Sequence, residues 1–552
     1  MTPTTKPIGR LLEELGFISA EQINVALDVQ KINPKLLGEI LQELDFITPN
    51  EIAEAMAIQN KVDFIDLDEI TPTSEALALV PQNMAQTRLI LPLYVDEETL
   101  TIATQDVNDL MTLDYLRKET KKQIRFVIAD KSKISRFAQI YYHQLSNPIE
   151  AEIRALAKKA AERSPIDTVR LVDLIINNAI KDRTTDIHIT PEGAATHVFY
   201  RIDGVLRHYY SIPIDVHSQI VARIKIISEL DIAEQRRPQD GAFTHDFLND
   251  KFDLRVSSMP TNFGENIVMR LLGRNGSLFS LTRLGFSDVN IKKIEHYFSK
   301  PYGVILVVGP TGSGKTTTLY SALRKINPLQ KNVLTVEDPI EYRFSFVKQT
   351  QVNRKAGYMF DTALRSFMRQ DPDVMLVGEI RDAETAELAI RASITGHLVL
   401  STLHTNDSVG TIPRLADLGI PAYLIGSGLL AVIAQRLIRK LCPYCKEAKA
   451  ISDEELLRHG IHPTLIKTYP ADHIYEAKGC EQCQNTGYSG RVAIIEMLEI
   501  DEDIEALISA NATTQMLLKT AKEKGMYTLR DDGHIKVLQG LSTFNEVDRV
   551  VL

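Results

Sequence analysis

The chain has 552 residues, with 63 basic and 72 acidic side chains, a net charge of −9 and a hydrophobic fraction of 44%. This length suits about three or four domains with ordinary globular cores. The acidic balance argues against a dominant nucleic-acid surface. The sequence begins without a basic-then-apolar signal peptide and contains no run of about 20 apolar residues, so we expect a soluble cytoplasmic protein without a transmembrane segment.

The first 60 residues contain an internal repeat with an offset of 29 residues. Phe17-Ile18 corresponds to Phe46-Ile47, and Ser19 and Thr48 stand at equivalent positions where a helix N-cap is expected. A Gln or Glu follows each cap at capping-box spacing. Each repeat predicts a helix, a turn and a second helix, so residues 1–65 predict a helical module. A simple docking bundle is the alternative interpretation of this module.

The next four regions differ in pattern. The predicted strands and helices of the second region indicate a small α/β domain, and the third region is polar and helix-prone, as in a linker. The fourth region is an α/β domain dense in arginine motifs, and a P-loop domain follows it. These regions are residues 66–143, 144–164, 165–284 and 285–552, with strands predicted at 89–94, 99–103 and 124–128 and helices near 109–120 and 131–142.

The P-loop domain carries the sequence Gly309-Pro-Thr-Gly-Ser-Gly-Lys-Thr-Thr317, which matches G-x-x-x-x-G-K-T. An apolar run at 304–308 precedes it and a predicted helix at 315–326 follows, which is the context that this motif requires. Backbone N–H groups would surround the phosphates of ATP, Lys315 would reach the β- and γ-phosphates, and Thr316 would bind Mg²⁺. The predicted nucleotide-binding residues are Gly309, Pro310, Thr311, Gly312, Ser313, Gly314, Lys315, Thr316 and Thr317.

Three more predicted strands follow the P-loop at the spacing of an α/β fold. They lie at residues 334–342, 373–379 and 396–406, and each ends in acidic or histidine side chains. Acids at strand ends beside a P-loop can hold Mg²⁺ through water or orient an attacking water. Taken singly, an acidic strand end indicates a solvated terminus and a histidine a core residue, but their combination favours an active site. The candidates are Glu337, Asp338, Glu341, Glu379, His397 and His404.

The charge-free run at 418–435 predicts a buried helix in a soluble domain. All four cysteines follow it in two C-x-x-C pairs within residues 441–491, with 34 residues between the pairs. This pattern favours a structural Zn²⁺ site with four thiolate ligands over a redox pair or two disulfides, since a cytosolic setting disfavours disulfides. The predicted ligands are Cys442, Cys445, Cys480 and Cys483.

The order of the P-loop, the Glu337-Asp-Pro-Ile-Glu341 box, the Gly378-Glu379 strand end and the 396–406 box resembles the secretion ATPase superfamily. More narrowly, the chain resembles the type II secretion and type IV pilus assembly ATPases, from about residue 165 to its end. The tetra-cysteine segment is similar to that of assembly motors rather than retraction motors. The resemblance implies a multidomain α/β protein with a RecA-like P-loop ATPase domain and a zinc-binding insert, preceded by a smaller α/β domain and the N-terminal helical plus α/β module.

The resemblance also implies roles for matching residues. By this resemblance Glu341 would polarise the attacking water, and Glu379 would organise Mg²⁺ and that water, with Glu337 and Asp338 supporting the metal shell. His397 and His404 would sense the γ-phosphate or a neighbouring subunit, and Arg255 and Arg270 would act as arginine fingers. The family's usual arginine after Pro-Gln-Asp-Gly is Ala242 here, so no role is carried to that position.

The N-terminal repeat is similar to a module that binds cyclic di-GMP in some of these ATPases. It departs from the module's pattern in having Pro7-Ile8-Gly9 in place of Arg-Leu-Gly, and Asp45 where glycine is usual. Docking of a partner at the membrane platform is the alternative role.

The expected function is a cytoplasmic hexameric ATPase that docks at the inner membrane and drives pilus assembly or protein secretion. Its expected partners are other copies of the chain, an inner-membrane platform protein and a cytoplasmic-ring protein, with no direct nucleic acid. The alternatives are a motor for DNA uptake or conjugation, and a non-hydrolysing nucleotide or cyclic di-GMP switch.

Overall fold

The computed structural model describes residues 6–146, 149–248, 250–272 and 280–551. The predicted linker includes residues 147–148, and the predicted arginine-rich domain includes residues 249 and 273–279, which lie outside the described residues. The chain divides into two units, one of residues 1–55 with 277–552 and one of residues 56–276. Within the described ranges, no helix has both the length and the apolar character needed to cross a membrane.

The N-terminal repeat forms four helices, as its pattern predicts. Ser19 caps the second helix in a complete capping box with Gln22, and Thr48 and Glu51 exchange the equivalent hydrogen bonds in the second repeat. Leu12, Ile40 and Leu41 are fully buried between the helices. The helices are α1 (Ile8–Glu14), α2 (Ala20–Ile32), α3 (Leu37–Glu43) and α4 (Pro49–Asn60).

The second unit begins with a three-stranded sheet of order β1-β2-β3, antiparallel between β1 and β2 and parallel between β2 and β3. The three predicted strands and two predicted helices of this region are confirmed. The elements are α5 (Ser74–Ala78), α6 (Gln82–Arg88), β1 (Ile90–Val95), β2 (Thr99–Thr104), α7 (Leu110–Thr120), β3 (Gln123–Ile128) and α8 (Lys131–Ser146).

The rest of the second unit is a six-stranded antiparallel sheet of order β6-β5-β4-β9-β8-β7 with helices packed on it. Its elements are α9 (Ile149–Ala161), α10 (Thr168–Lys181), β4 (Asp186–Glu192), β5 (Ala195–Ile202), β6 (Val205–Pro213), α11 (His217–Ile227), β7 (Gln239–Phe247), β8 (Asp250–Thr261) and β9 (Gly264–Leu272).

The interpretation of 144–164 as a linker is corrected in part, because helix α9 forms there. Ile149 and Ile153 of α9 are buried in the core of the second unit. Polar residues on the outer face of α9 gave this stretch its linker-like composition. The inner face is apolar at helical spacing and packs against the sheet, so the helix is part of the domain.

The P-loop domain is built on a seven-stranded sheet of order β12-β11-β13-β14-β10-β15-β18, parallel except for its last strand. The P-loop strand β10 lies near the middle and is buried along its whole length. The first elements are α12 (Leu281–Leu284), α13 (Asp288–Phe298), β10 (Gly303–Val308), α14 (Lys315–Leu323), β11 (Val333–Glu337), β12 (Lys348–Gln351), α15 (Phe360–Phe367), β13 (Val374–Val377), α16 (Ala383–Ile394), β14 (Leu398–Leu403) and α17 (Thr411–Asp417).

The prediction of one buried helix at 418–435 was wrong. The segment contains the whole of α18 (Ala422–Gly428) and the first half of β15 (Leu429–Leu441), which pairs with β10. The run is apolar because β15 is covered on both faces, and such a strand shows no alternation. The remaining elements are β16 (Glu447–Ala450), α19 (Asp453–Arg458), α20 (Pro463–Thr468), β17 (His473–Glu476), β18 (Tyr488–Glu499), α21 (Glu502–Ser509), α22 (Thr514–Glu523), α23 (Leu529–Leu538) and α24 (Phe544–Val550).

Candidate nucleotide and metal sites

The P-loop connects the end of β10 to the start of α14. Gly309, Gly312 and Gly314 have φ values of 147°, 79° and 86°, a region that favours glycine. A Cβ atom at Gly309 would lie 2.5 Å from the backbone oxygen of Gln435 on β15. Glycine is therefore required here both by the path of the loop and by the close approach of the neighbouring strand.

Lys315 is nearly buried at the start of α14. Its Nζ donates hydrogen bonds to the backbone oxygens of Gly309, at 2.9 Å, and Pro310, at 3.0 Å. Burial lowers the pKa of Lys315, the Glu379 carboxylate opposes that shift, and Arg436 adds to it. A phosphate group would supply the negative charge that carbonyl dipoles provide only in part.

Gln435 holds the P-loop against β15, although no sequence motif marks this residue. Its Nε2 donates to the Ser313 backbone oxygen at 2.8 Å, and its Oε1 accepts from the Thr318 hydroxyl at 2.7 Å. The only signal was a polar residue at the end of an apolar run. Within the described residues, the Ser313 Oγ atom is buried without a hydrogen-bond partner. The loop thus has the glycine geometry, the lysine and a spare hydroxyl that suit a bound triphosphate.

Glu379 and His404 meet at the carboxyl edge of the sheet, just beyond β13 and β14. The Nε2 atom of His404 lies 3.3 Å from a Glu379 carboxylate oxygen, and Arg381 pairs with the other oxygen. Because the carboxyl ends of parallel strands share one edge, this cluster lies on the same side of the sheet as the P-loop. The electrostatic influence of Glu379 on Lys315 agrees with that placement.

The carboxylates after β11 occupy different environments. Glu337 is buried and accepts hydrogen bonds from Tyr320, from the Thr335 hydroxyl at 2.6 Å and from Gln349 at 3.1 Å. Asp338 pairs with Arg354. Glu341 is exposed, and its backbone N–H donates to the Tyr320 hydroxyl at 3.3 Å. In this conformation Glu337 anchors the loop, while Asp338 and Glu341 are exposed.

His397 is not brought to this edge. It precedes β14 and so lies at the amino edge of the sheet, a strand length from His404. Its Nδ1 lies 2.9 Å from the Ala392 backbone oxygen. Of its two predicted roles, sensing of the γ-phosphate within the same chain has no support from this geometry, and contact with a neighbouring subunit stays a prediction.

Arg255 and Arg270 lie in the second unit on adjacent strands, directly opposite each other in the register of β8 and β9. Arg270 donates to Asp186 at 2.8 Å. Both arginines line a cleft of about 640 Å³, which Ala242 also lines. The structure brings the two predicted fingers together with each other, and their approach to a γ-phosphate stays a prediction.

The four cysteines follow the end of β15 or precede the start of β18, and they converge on one point. All four sulfur atoms lie within 4.8 Å of one another, and the closest pairs are 3.7 to 3.8 Å apart. Tetrahedral zinc with Zn–S bonds of about 2.3 Å requires sulfurs about 3.8 Å apart, so the cluster fits that ion. Burial opposes ionisation of Cys483, but N–H donors from Cys480 and Gly487 lower its pKa to about 7. All four thiols are free, which argues against the disulfide alternative.

Comparison with known sequences gives two domain matches. The family described as "Type II/IV secretion system protein" matches residues 159–549, and the family described as "MshEN domain" matches residues 60–147. The second match falls on the small α/β domain, directly after the helical repeat. The first covers most of the chain, including the P-loop, the carboxylates and the cysteines.

The curated relatives agree with this assignment. The chain is 37% identical to the type IV pilus assembly ATPase PilB of Myxococcus xanthus, over 98% of each chain. It is 44% identical to the type II secretion system protein E of Pseudomonas aeruginosa, over 69% of this chain and 75% of that one. The chain therefore belongs to the type II/IV secretion system protein family. The solved ATPase DotB of Yersinia pseudotuberculosis shares the fold, at 19% identity and a TM-score of 0.50, over 69% of this chain and 93% of that one.

Proposed function

We propose that this protein hydrolyses ATP to ADP and phosphate and uses the reaction to drive assembly of a type IV pilus. The observation that carries the proposal is the shared carboxyl edge of the sheet, where the Lys315 loop, Glu379 and His404 come together. The family match described as "Type II/IV secretion system protein" spans the residues that form this edge. The full-length correspondence with a pilus assembly ATPase favours that machine over protein secretion.

In the proposed mechanism, the P-loop N–H groups and Lys315 bind the phosphates and hold the γ-phosphoryl group in place. Glu341 accepts a proton from the attacking water, and Glu379, oriented by His404 and Arg381, positions that water. The Thr316 hydroxyl and Glu379 would hold Mg²⁺, which neutralises phosphate charge when bound. Arg255 and Arg270 add positive charge at the γ-phosphate, from the same chain or from a neighbouring one.

The test is steady-state ATP hydrolysis by purified variants. Glu341→Gln and Glu379→Gln should each lower kcat by about a hundredfold or more, because each removes a group that acts in the transition state. Glu387→Gln, on the exposed face of α16, is the matched control and should keep the wild-type rate. Unchanged hydrolysis in both site variants would contradict the proposal. Tight ATP binding by the wild type without phosphate release would favour the nucleotide-switch alternative.

The machine that the protein serves is tested in cells. We propose a hexamer at the cytoplasmic face of the inner membrane, partnered by a platform protein and a cytoplasmic-ring protein. Expression in a strain that lacks its pilus assembly ATPase should restore pili. Expression in a strain that lacks its secretion ATPase should not restore secretion. The reverse pattern would assign the protein to secretion, and tight, salt-dependent DNA binding would favour a DNA motor.

We also propose zinc at the cysteine cluster, in a structural role because four protein ligands leave no open position. A further ligand hypothesis is cyclic di-GMP at the N-terminal repeat. The repeat at residues 8–60 supports it, and the Pro7-Ile8-Gly9 and Asp45 departures weigh against it. Calorimetric titration of the full chain with cyclic di-GMP tests it, and absence of binding at high ligand concentration would exclude it.

A further inference from the structure

The two N-terminal repeats are not equivalent in charge. At three matched positions the second repeat has an acidic residue where the first has a neutral one. Each of these acids contacts the P-loop domain within the same unit. The pairs of repeat positions are Gly16 and Asp45, Gln22 and Glu51, and Val25 and Glu54, and the partners of the three acids are Ser345, Arg324 and Arg283, respectively.

Two of these contacts are ion pairs. Glu51 and Arg324 form a two-pronged pair, with distances of 2.7 and 3.1 Å, and both side chains are almost buried. Glu54 lies 3.0 Å from Arg283. Two-pronged carboxylate–guanidinium pairs fix orientation as well as distance. They therefore hold the second repeat in one register beside the end of the P-loop helix α14.

The third contact reaches a loop. Asp45 has a φ of 54°, and its carboxylate accepts from the Ser345 backbone N–H at 3.2 Å and from the Ser345 hydroxyl at 2.8 Å. The neighbouring Phe46 ring stacks on Phe346 with centroids 5.6 Å apart and planes 18° apart. Asp45 keeps the left-handed backbone that Gly16 has in the first repeat and adds an acceptor that glycine lacks.

The loop that Asp45 holds is the loop that carries Glu341. It connects β11 to β12, and its first half is fixed by the Tyr320 hydroxyl, which accepts from the Glu341 N–H. Gln349 holds its middle, donating to the Tyr342 backbone oxygen at 2.9 Å and accepting from the Phe344 N–H at 2.7 Å. Asp45 supplies the anchor for the second half, from outside the P-loop domain.

We propose that Asp45 is a positioning residue for ATP hydrolysis, which acts through Ser345 to keep the Glu341 loop in place. This inference rests on the proposed role of Glu341. The second repeat is thus a fixed support for the active-site loop, which accounts for an acid at a position where the first repeat has glycine. A loop that loses this anchor spends less time with Glu341 in its working position, so hydrolysis slows while nucleotide binding at the P-loop does not change.

The test measures kcat and KM for ATP in the full-length protein. Asp45→Gly introduces the residue of the first repeat and removes both bonds to Ser345, and Ser345→Ala removes only the hydroxyl bond. Asp45→Gly should lower kcat by about threefold to tenfold with KM unchanged, and Ser345→Ala should lower kcat by less, since its backbone N–H still donates to Asp45. The double variant should be no slower than the slower single variant. Asp45→Asn retains an acceptor oxygen and tolerates the left-handed backbone, so it should recover most of the rate.

The matched control is Gly16→Asp, which adds the same acid to the first repeat, where a side chain would enter open space. It should keep the wild-type kcat. A normal or raised kcat in Asp45→Gly, an additive double variant, or an equal loss in Gly16→Asp would overturn the inference. Glu341→Gln separates the two proposals. If it is inactive while Asp45→Gly is normal, only the positioning role fails. If Glu341→Gln is fully active, the proposed role of Glu341 fails as well.

Discussion

The candidate nucleotide site and the cysteine cluster lie on the same domain but are assembled in opposite ways. The nucleotide site combines residues from four strand ends that are far apart in the sequence, so the sheet builds it. The cysteine cluster combines two short turns, and local spacing builds it. One strand, β15, contributes to both: Gln435 holds the P-loop, and Cys442 follows the strand's last residue. This difference predicts that a substitution that destroys one site leaves the other site intact.

Among the predicted changes, replacing Cys442 and Cys445 by serine should have the largest effect on the cysteine cluster. Two remaining thiolates cannot complete a tetrahedral site, so zinc content should fall from about one ion per chain to almost none. The melting temperature should fall, while affinity for a non-hydrolysable ATP analogue should stay within about twofold. Elemental analysis, thermal unfolding and titration measure the three quantities. Lys449→Ala is the control in the same segment, and simultaneous loss of nucleotide affinity would contradict independence.

Among the predicted changes, Lys315→Ala should have the largest effect on the candidate nucleotide site, which the sheet assembles. Removal of a charge that stabilises the transition state should lower kcat/KM for ATP by about 10²–10³-fold. Zinc content and the melting temperature of the cysteine segment should not change. The control is Lys519→Ala on the exposed face of α22. ATP hydrolysis at the wild-type rate would show that the P-loop lysine does not act on the phosphates.

Gln435→Leu tests the point where the sites adjoin. It leaves the buried Thr318 hydroxyl and the Ser313 carbonyl without their partner, which should cost about 1–3 kcal/mol in free energy of unfolding. ATP affinity should fall while zinc content stays near one per chain. Thr318→Val removes one of the same bonds, so the double variant should be less destabilised than the sum of the two. Loss of zinc in Gln435→Leu would show that β15 couples the sites.

The two histidines of the 396–406 box should show the smallest effect, and it should appear in only one of them. His404→Ala removes a hydrogen bond to Glu379 and should lower kcat by about fivefold. His397→Ala, at the opposite edge of the sheet, should keep kcat near the wild-type value. A larger loss in His397→Ala would place the amino edge of the sheet in the reaction.

Much of the site could be predicted from the sequence because its residues follow strands in recognisable patterns. The strand–loop–helix context located the P-loop, and strand-end acids located Glu337, Glu341 and Glu379. Gln435 could not be found in this way, because a polar residue in a doubly buried strand disturbs no periodicity. Its partners come from the P-loop and α14, more than 100 residues earlier.

The prediction of secondary-structure elements failed where one composition is compatible with two structures. The apolar run at 418–435 suits a buried helix or a strand covered on both faces, and only pairing with β10 distinguishes them. The two histidines of the 396–406 box are close in sequence, but six strand residues place them at opposite edges of the sheet. The docking of the second repeat on the P-loop domain also could not be predicted from the sequence, since its acids lie about 230 to 300 residues from their partners.

The pairing of β10 has a consequence for synthesis of the chain. Both neighbours of this strand come much later: β14 begins 95 residues after Gly303, at Leu398, and β15 begins at Leu429. Synthesis proceeds at roughly 5–20 residues per second, so roughly 5–20 s pass between the synthesis of the apolar strand β10 and that of its first partner strand. The strand that leads into the P-loop is therefore, during translation, an unpaired hydrophobic strand that is prone to aggregation.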